Sequence, residues 1–248
     1  MDGIISRKFH DETNFDFTIG EEVTDFQYNI SWDWKKINYK EYPRFPKVEL
    51  PRIHIPYEDI ENALIESCPK KKFDTRKELS LKELSNLLFF SSGLKPTKKT
   101  EQESASRFYP SFDARYPLEV YIGIQRVQGI SPGIYHYNVK GHFLETLTNN
   151  SDYLDDLKEG IYYPDFKGAA VVLMITAVWN RTMVKYKDRG YRIILMETGY
   201  LAQNLALVCS ALGVGCHNTT DFHNQRIHEV LDIENEDEDS ISMVLIGK

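Results

Sequence analysis

The feature that most constrains the fold is a continuous apolar run at residues 169–177, Ala-Ala-Val-Val-Leu-Met-Ile-Thr-Ala. A strand with one face in water alternates polar and apolar residues, whereas a strand covered on both faces is apolar along its length. The run therefore predicts a central strand that is buried on both faces of a sheet. No apolar stretch reaches the ~18 residues that a membrane-spanning helix needs, so we expect no transmembrane helix.

Around this run the sequence predicts both helices and strands. Ser80 and Glu83 form the pattern of a capping box, and the apolar stripe that follows predicts a helix ending near Gly93. Periodicity and turn residues predict the other elements: helices opening at Pro56–Asp59 and covering 152–159, roughly 191–212 and 224–231, and strands at 118–127, 134–139, 143–147 and 241–246. This mixed order favours an α+β fold in which helices cover a sheet.

The first 56 residues differ in character from the rest of the chain. They are aromatic and charged with little periodicity, and the prolines between Pro43 and Pro56 punctuate their end. We therefore predict an extended N-terminal arm over residues 1–56 and a folded domain over residues 57–248.

The charge and the cysteine content narrow the class of protein. A net charge of −7 argues against nucleic acid as a partner. The N-terminus lacks the apolar segment of a signal peptide, and the three cysteines lack metal-binding spacing, which together predict a cytoplasmic protein. The acidic run Glu234–Asp239 is interpreted as a solvated loop without a function of its own.

The segment Arg107–Glu119 is a candidate for ligand binding, and we interpret it as a loop that feeds a strand. Pro110 and Pro117 fix its backbone, and Ser111 offers a hydroxyl and a nearby amide. Such a loop can present hydrogen-bonding groups to a flat polar ring while the strand behind it keeps it rigid. On spacing alone, an ordinary turn explains the same residues.

The adjacent residues Lys185 and Tyr186 are candidates for acid–base chemistry. An ammonium beside a phenol favours the phenolate and lowers its pKa, which would make a base usable near neutral pH. That chemistry requires both side chains to reach one pocket. A solvated pair at the start of the long helix is the alternative.

Two later segments carry weaker signals. Gly199 lies inside the predicted long helix, where a glycine costs about 1 kcal/mol relative to alanine, which suggests the close approach of a ligand or another backbone. Gln203 and Asn204 follow beside the apolar stripe and are either exposed or hydrogen-bonded internally. The glycine-rich stretch Gly213–Phe222 can bring backbone amides close to a ligand.

Taken together and in this order, these segments resemble the SagB/McbC-type (thiazole/oxazole-forming) dehydrogenases of the nitroreductase superfamily. Members carry patterns like RxxPSAGARYPLEVY, PPGLYHY, KYxxRGYRY, EAGHxAQN and LGLG. The corresponding residues here are Arg107–Tyr121, Ser131–Tyr137, Lys185–Tyr191, Glu197–Asn204 and Leu212–Gly215. Any one of these matches is weak, whereas the ordered set is specific to the group.

The resemblance implies an FMN-binding α+β fold with a mostly antiparallel central sheet, assembled as an intertwined homodimer with the flavin at the interface. By the same resemblance, Lys185 and Tyr186 are the catalytic residues. The residues expected to bind the cofactor are Arg107, Pro110, Ser111, Ala114, Gln203, Asn204, Gly215, Thr219 and Thr220 towards the ring, and Lys70, Lys71, Lys72 and Lys248 at the phosphate.

The chain departs from the group's pattern at three places. Lysines at 70–72 stand where the group has an Arg-Arg-Ser-like clamp, and a lysine pairs with phosphate as a point charge without bidentate geometry. Phe112-Asp113 replaces the usual Ala-Gly, which adds a carboxylate beside the expected ring. Thr219-Thr220 stands where a Gly-Gly-like pair is common.

The reaction that the resemblance implies is the two-electron oxidation of an azoline ring in a modified peptide, alongside a partner cyclodehydratase. Tyr186 is the expected base, with Lys185 lowering its pKa. Two alternatives stay open: an NAD(P)H-dependent reductase of small molecules such as nitro compounds, quinones or flavin, and a flavin-poor scaffold subunit of a peptide-modifying complex. Neither nucleic acid nor a membrane is expected as a partner.

Overall fold

The computed structural model describes residues 5–13, 39–52, 60–67, 72–96, 106–150, 152–161, 166, 168–234 and 237–248. Lys70 and Lys71, two of the expected phosphate ligands, lie outside the described residues. Within these ranges the helices are α1 (Ile5–Glu12), α2 (Ile60–Glu66), α3 (Leu81–Ser92), α4 (Asp152–Glu159), α5 (Asn180–Tyr186), α6 (Arg189–Ala211) and α7 (Asn224–Leu231). The strands are β1 (Lys47–Glu49), β2 (Leu118–Ile124), β3 (Gly133–Asn138), β4 (Phe143–Thr148), β5 (Val171–Val178), β6 (Gly215–Thr219) and β7 (Glu238–Gly247).

The described strands form one sheet in the order β1-β4-β3-β2-β5-β7-β6, and every neighbouring pair is antiparallel. Strand β5 lies between β2 and β7, and its residues are buried from Val171 to Ala177. The prediction of a central strand covered on both faces is confirmed, and so is the α+β fold.

The side chains of β5 alternate between two hydrophobic cores, one on each face of the sheet. Val171, Leu173 and Ile175 pack in one core with buried leucines of α3 and α6. Val172 and Met174 pack in the other core, which α4 and α7 complete. Each branched apolar side chain that is buried stabilises the folded state by about 1.5–3 kcal/mol. Since β5 buries such side chains on both faces, it joins the helices on either side to the same sheet.

Helix α3 begins at the predicted capping box. The backbone N–H of Glu83 donates to Ser80 Oγ at 3.2 Å, and the backbone N–H of Ser80 donates to Glu83 Oε2 at 2.6 Å. The helix ends at Gly93, whose N–H donates to the Phe89 carbonyl at 2.8 Å. Both ends of the helix are therefore set by local chemistry that the sequence displays.

Helix α6 is, among the described helices, the one long and apolar enough to cross a membrane by length and composition. Core helices of soluble proteins meet the same criterion. Ile194, Leu201 and Leu205 of α6 are buried in the first core, against the sheet. We therefore interpret α6 as a core helix.

The prediction of an extended arm is wrong at Ile5–Glu12, which forms helix α1 against α6. Arg192 Nη2 donates to the His10 carbonyl at 2.7 Å, and Arg189 Nη1 donates to the Thr13 carbonyl at 3.0 Å. These arginines satisfy carbonyls at the end of α1 that its own backbone leaves open. The helix thus depends on a partner some 180 residues away, which local periodicity does not display.

The interpretation of Glu234–Asp239 as a solvated loop is wrong at its end, where β7 begins. Glu238 is 4% exposed. Its carboxylate accepts from Lys40 Nζ at 2.5 Å, Thr176 Oγ1 at 2.5 Å and Tyr121 OH at 3.1 Å. A buried carboxylate persists when it is paired and hydrogen-bonded in this way.

Candidate active site beside the Arg107–Glu119 loop

The loop that precedes β2 is held by hydrogen bonds within itself. The backbone N–H of Arg107 donates to Tyr116 OH at 3.0 Å, and the N–H of Tyr116 donates to Ser111 Oγ at 2.8 Å. The Arg107 side chain is buried, and its Nη1 donates to the Leu118 carbonyl at 3.0 Å. In the described chain Arg107 therefore points inward and ties the loop to β2.

Three non-glycine residues of this loop adopt the left-handed backbone conformation. They are Asp113 (φ 52°), Ala114 (φ 53°) and Tyr116 (φ 48°). Each such residue costs on the order of 1–3 kcal/mol and persists where the surroundings hold it. Here the surroundings are specific contacts of Ser111, Asp113 and Tyr116, so the loop has one defined shape.

Helix α6 supports the loop from below through Glu197. Its Oε1 accepts from Ser111 Oγ at 3.0 Å and from the Phe112 N–H at 2.9 Å. Oε2 is buried without a hydrogen-bond partner among the described residues. Burial raises the pKa of Glu197 to about 7, although the two hydrogen bonds and Arg107 oppose that rise. Glu197 is thus a buried group that titrates near neutral pH.

Lys185 and Tyr186 end the short helix α5, and both reach the loop. Lys185 Nζ and Tyr186 OH donate to the same atom, Asp113 Oδ2, with the tyrosine contact at 2.6 Å. Lys187 follows with φ 49° and ψ −141° and separates α5 from α6. The interpretation of the pair as a solvated start of the long helix is therefore wrong, since the pair lies on its own helix and contacts the loop.

The expected effect of Lys185 on the pKa of Tyr186 is also wrong. Burial raises the pKa of Tyr186 well above its ordinary value, and the hydrogen bond to the charged Asp113 raises it further. The ammonium of Lys185 is directed at the carboxylate of Asp113 rather than at the phenol oxygen. Burial is the larger cause of the raised pKa, and Asp113, which the sequence marked as a departure, adds to it.

Behind this contact, a buried ionic chain anchors α5 to the sheet. Arg181 Nη1 lies 2.5 Å from Glu119 Oε1 and donates to the Tyr116 carbonyl at 3.1 Å. His136 then bridges Glu119 at 3.2 Å and Glu145 at 2.8 Å. Burial would raise the pKa of Glu119, but Arg181 and His136 outweigh burial and lower it to about 2. This ionic chain fixes the orientation of α5, and with it the positions of Lys185 and Tyr186 at the end of the helix.

The sequence reasoning did not identify Asp113, Glu197 or Arg181 as functional. Both carboxylates carry a sequence signal: Glu197 lies within one of the matched segments, and Asp113 is a departure from the pattern of the group. Arg181 carries no local signal, because its partner Glu119 lies 62 residues earlier and only the fold joins them.

The other expected ring contacts surround this region on separate elements. Pro110 is exposed and Ala114 partly exposed on the loop, while Gln203 is exposed on α6. Asn204 Nδ2 donates to the Ser91 carbonyl of α3 at 3.3 Å. A side chain added at Gly199 would meet no atom of the described residues within 4 Å, so this helical glycine faces space that they leave open.

The turn expected after Gly215 is instead the edge strand β6, which pairs with β7. Gly215 is the first residue of that strand, and its partner is Gly247. Thr219 is buried, with its Oγ1 accepting the Asp221 N–H at 3.0 Å, whereas Thr220 is exposed. The segment therefore presents Thr220 beyond the end of a fixed strand.

Two of the lysines expected at the phosphate, Lys72 and Lys248, lie on backbone segments that meet at the end of β7. The Lys248 carbonyl accepts the Asp74 N–H at 2.6 Å, which places the end of the chain beside the exposed Lys72. Lys248 Nζ lies 2.8 Å from Glu83 Oε1. An arriving phosphate would compete with that carboxylate for Lys248.

The site residues fit a flat polar cofactor with an anionic tail. The rigid loop offers the Ser111 hydroxyl, which Glu197 holds from beneath, and the exposed backbone of Gly199 leaves room on α6. Lys72 and Lys248, on neighbouring backbone segments, supply positive charge for an anionic tail.

Comparisons with known proteins agree with this picture. Residues 66–248 match the family model described as the nitroreductase family. Protein MJ1384 of Methanocaldococcus jannaschii, named provisionally as a nitroreductase, is 31% identical over 71% of this chain and 88% of its own length. The microcin B17-processing protein McbC of Escherichia coli is 30% identical over 57% of this chain and 52% of its own length. This chain therefore matches about half of McbC.

Two solved structures share the fold. A structure from Anabaena variabilis, described provisionally as a nitroreductase, has a TM-score of 0.75 at 23% identity and covers 98% of this chain and 46% of that one. The E. coli microcin synthetase McbBCD complex, with truncated pro-MccB17 bound, has a TM-score of 0.62 at 19% identity and covers 98% and 91%. The predicted resemblance to this group is confirmed by the family match and by McbC.

Proposed function

The chain belongs to the nitroreductase family, and on that premise we propose that it is an FMN-dependent oxidoreductase of azoline rings. Its substrate would be a modified peptide whose thiazolines or oxazolines become thiazoles or oxazoles. The observation that carries the proposal is the convergence of Lys185 and Tyr186 on the rigid loop at Asp113. Two polar side chains that meet on one carboxylate of this loop support a shared role in proton transfer.

Bound FMN would supply a two-electron acceptor for the hydride that leaves the ring. The residues proposed to hold its ring are Pro110, Ser111, Ala114, Gln203, Asn204, Gly215, Thr219 and Thr220. Lys70, Lys71, Lys72 and Lys248 are proposed to hold its phosphate, with Lys248 exchanging Glu83 for the anion. Arg107, fully buried, would act from behind by keeping the loop rigid.

The chain's own residues would orient the substrate and move a proton. Oxidation of an azoline removes a proton from Cα and a hydride from Cβ. The hydroxyl oxygen of Tyr186 is proposed to face the Cα proton. Lys185 provides a positive charge that stabilises the negative charge during proton transfer. The ionic chain behind α5 would keep both side chains in place.

A proposed assembly follows from the same reasoning. The McbBCD complex shows McbC together with other synthetase subunits and a peptide. We propose that this chain likewise acts in the cytoplasm with a cyclodehydratase that makes its azoline substrate, and that it forms a homodimer across the open side of α6.

The first prediction tests the Lys185–Tyr186 pair. Lys185→Ala and Tyr186→Phe should each lower the turnover of a synthetic thiazoline peptide by about 100-fold, because proton transfer of this kind contributes factors of that order. Flavin content, followed by the visible spectrum, should stay as in the wild type. Lys158→Ala on the exposed face of α4 is the control. Full azoline oxidation by both site variants would sink the assignment.

A second candidate is an NAD(P)H-dependent reductase of nitro compounds, quinones or flavin. The match to MJ1384 over most of that protein's length favours keeping it. Rapid bleaching of the flavin by NAD(P)H would support the reductase, whereas slow bleaching with rapid azoline oxidation would support the dehydrogenase. A colourless protein that cannot be reconstituted with FMN would instead support a flavin-poor scaffold subunit.

A further inference from the structure

The carboxylate of Asp113 joins Tyr186, the base of the proposed function, to Lys185, which supplies its positive charge. Its Oδ2 accepts from both Lys185 and Tyr186, and the tyrosine hydroxyl lies 2.6 Å away. The preceding residue is fixed by its N–H bond to Glu197, and Asp113 itself has a φ of 52°. The carboxylate is therefore delivered by a fixed loop.

The charged groups that face Asp113 come from each neighbouring element. Helix α5 supplies Lys185, the loop supplies Arg115, whose Nε donates to the Asp113 carbonyl at 2.9 Å, and α6 supplies Glu197, whose charge acts on the neighbouring Tyr186. Burial alone would raise the pKa of Asp113, but the hydrogen bonds from Lys185 and Tyr186 outweigh it and lower the pKa. Asp113 is thus ionised at neutral pH and able to accept a proton.

Tyr186 has the complementary character. Burial and the bond to Asp113 raise its pKa, so at neutral pH it keeps its proton and donates it towards the carboxylate. A free phenolate is absent from such an arrangement. For the Tyr186 oxygen to take a substrate proton, its own proton must have somewhere to go.

We propose that Asp113 is a positioning residue that accepts the Tyr186 hydroxyl proton while the Tyr186 oxygen takes the Cα proton of the substrate. This inference rests on the proposed function. The substrate C–H bond breaks as an O–H bond forms on Tyr186, and the Tyr186 O–H bond breaks as one forms on Asp113. The negative charge passes from Asp113 to the substrate and leaves with the hydride that the proposed flavin accepts. Lys185 stays protonated and orients the carboxylate.

The first experiment measures the pKa of Tyr186 in the absence of substrate. The FMN-reconstituted protein carries tyrosine labelled with ¹³C at Cζ, and the signal of Tyr186 is assigned by its loss in Tyr186→Phe. Asp113→Asn should lower the Tyr186 pKa by about one unit or more, because a charged acceptor is removed. Asp155→Asn, on α4 away from the site, should leave it unchanged. An unaltered Tyr186 titration in Asp113→Asn would overturn the proposal.

The second experiment uses the pH profile of thiazoline-peptide oxidation. The kcat of the wild type should show no titration of Asp113 between about pH 6 and 9, since Asp113 is ionised throughout that range, so any change near pH 7 is assigned to Glu197 by its loss in Glu197→Gln. Asp113→Asn should lose about 100-fold at pH 7 and recover as pH rises and the phenolate forms, with KM little changed. Asp113→Glu, which keeps a carboxylate, should restore much of the rate at pH 7.

The two experiments separate the failure of this inference from the failure of the proposed function. Wild-type protein with bound FMN that oxidises no azoline would refute the proposed function, while the tyrosine titration would still decide whether Asp113 accepts the Tyr186 proton. A uniform loss of rate in Asp113→Asn at every pH, without alkaline recovery, would show a merely structural role and overturn the inference.

Discussion

At the scale of single residues, the site is defined by carboxylates with opposite environments. Asp113 is half-exposed and held ionised by Lys185 and Tyr186. Glu197 lies directly below the same loop, is fully buried, and has a pKa raised to about 7. Two carboxyl groups joined through one loop therefore titrate far apart, which is how a protein assigns different proton-transfer roles to like groups.

The raised pKa of Glu197 predicts a pH-dependent stability. Its folded pKa of about 7 lies above the ordinary 4.5, so the folded state binds the extra proton and stability falls as pH rises through this window. Glu197→Gln keeps the acceptor for Ser111 and removes the ionisation. In urea unfolding between about pH 5 and 8, the unfolding free energy of the variant should increase relative to that of the wild type as pH rises, by up to roughly 3 kcal/mol.

The control for this prediction is Glu159→Gln, since Glu159 is largely exposed on α4 and should leave the pH dependence of unfolding as it is. Parallel curves for the wild type and Glu197→Gln would mean that Glu197 does not titrate in this range.

At the scale of elements, the predictable parts are those set by local chemistry. The capping box at Ser80 placed α3, and the unbroken apolar run placed β5 at the centre of the sheet. Helix α5 was not predicted, for two reasons. It has no side-chain cap, and Thr182 is its one buried residue, so it shows neither a start signal nor an apolar stripe. Its position comes from Arg181 and Glu119, and an ion pair across 62 residues has no local signature.

The same distinction applies to the candidate site. The ordered motifs located the loop, the Lys185–Tyr186 pair and the α6 segment, because each motif is a short stretch with its own pattern. The motifs did not show that Asp113 holds the pair, since that contact depends on the left-handed backbone at Asp113 and on the orientation of α5. The positive φ is itself imposed by tertiary contacts.

Gly199 provides a prediction about α6 as an element. A helical glycine costs about 1 kcal/mol relative to alanine, and a Cβ at this position would meet no atom in the part of the chain that the structure describes. Gly199→Ala should therefore raise the unfolding free energy of the flavin-free protein by up to that amount. If the proposed flavin or a second subunit approaches the bare backbone, the variant should bind FMN more weakly in a fluorescence titration.

Gly213→Ala is the matched control for Gly199→Ala. It also faces open space, but its φ of 67° makes alanine strained, so it should destabilise the protein instead. A loss of stability in flavin-free Gly199→Ala would contradict the prediction, because it would mean that the chain itself fills that space.

At the scale of the whole molecule, residues 39–52 are part of the folded unit. Strand β1 extends the sheet by pairing with β4, and the Tyr42 N–H donates to Glu145 Oε1 at 2.8 Å. Glu145 also belongs to the ionic chain that reaches Arg181 through His136. The segment around residues 39–49 is thus connected, through buried polar groups, to the helix that carries Lys185 and Tyr186.

Glu238 is the second point of attachment, and it supplies the last prediction. Its buried carboxylate binds Lys40 of the N-terminal segment, Tyr121 of β2 and Thr176 of β5. Removing one member of a buried ion pair leaves the other charge without compensation, which costs roughly 3–5 kcal/mol. Glu238→Gln should therefore lower the free energy of unfolding by about 3 kcal/mol and make the segment near Lys40 more sensitive to limited proteolysis.

A double-mutant cycle separates the pair from the rest of the Glu238 contacts. The double variant Lys40→Met/Glu238→Gln should lose less unfolding free energy than the two single variants lose in sum, because it leaves no isolated charge buried. Glu41→Gln is the control, since Glu41 pairs with Lys140 at the surface at 3.2 Å and should change stability by a few tenths of a kcal/mol. Equal losses at Glu41 and Glu238 would show that burial gives the Lys40–Glu238 pair no special weight. In that case residues 39–49 would be held mainly by β1 and the Tyr42 N–H, and their link to the active-site helix would run through Glu145.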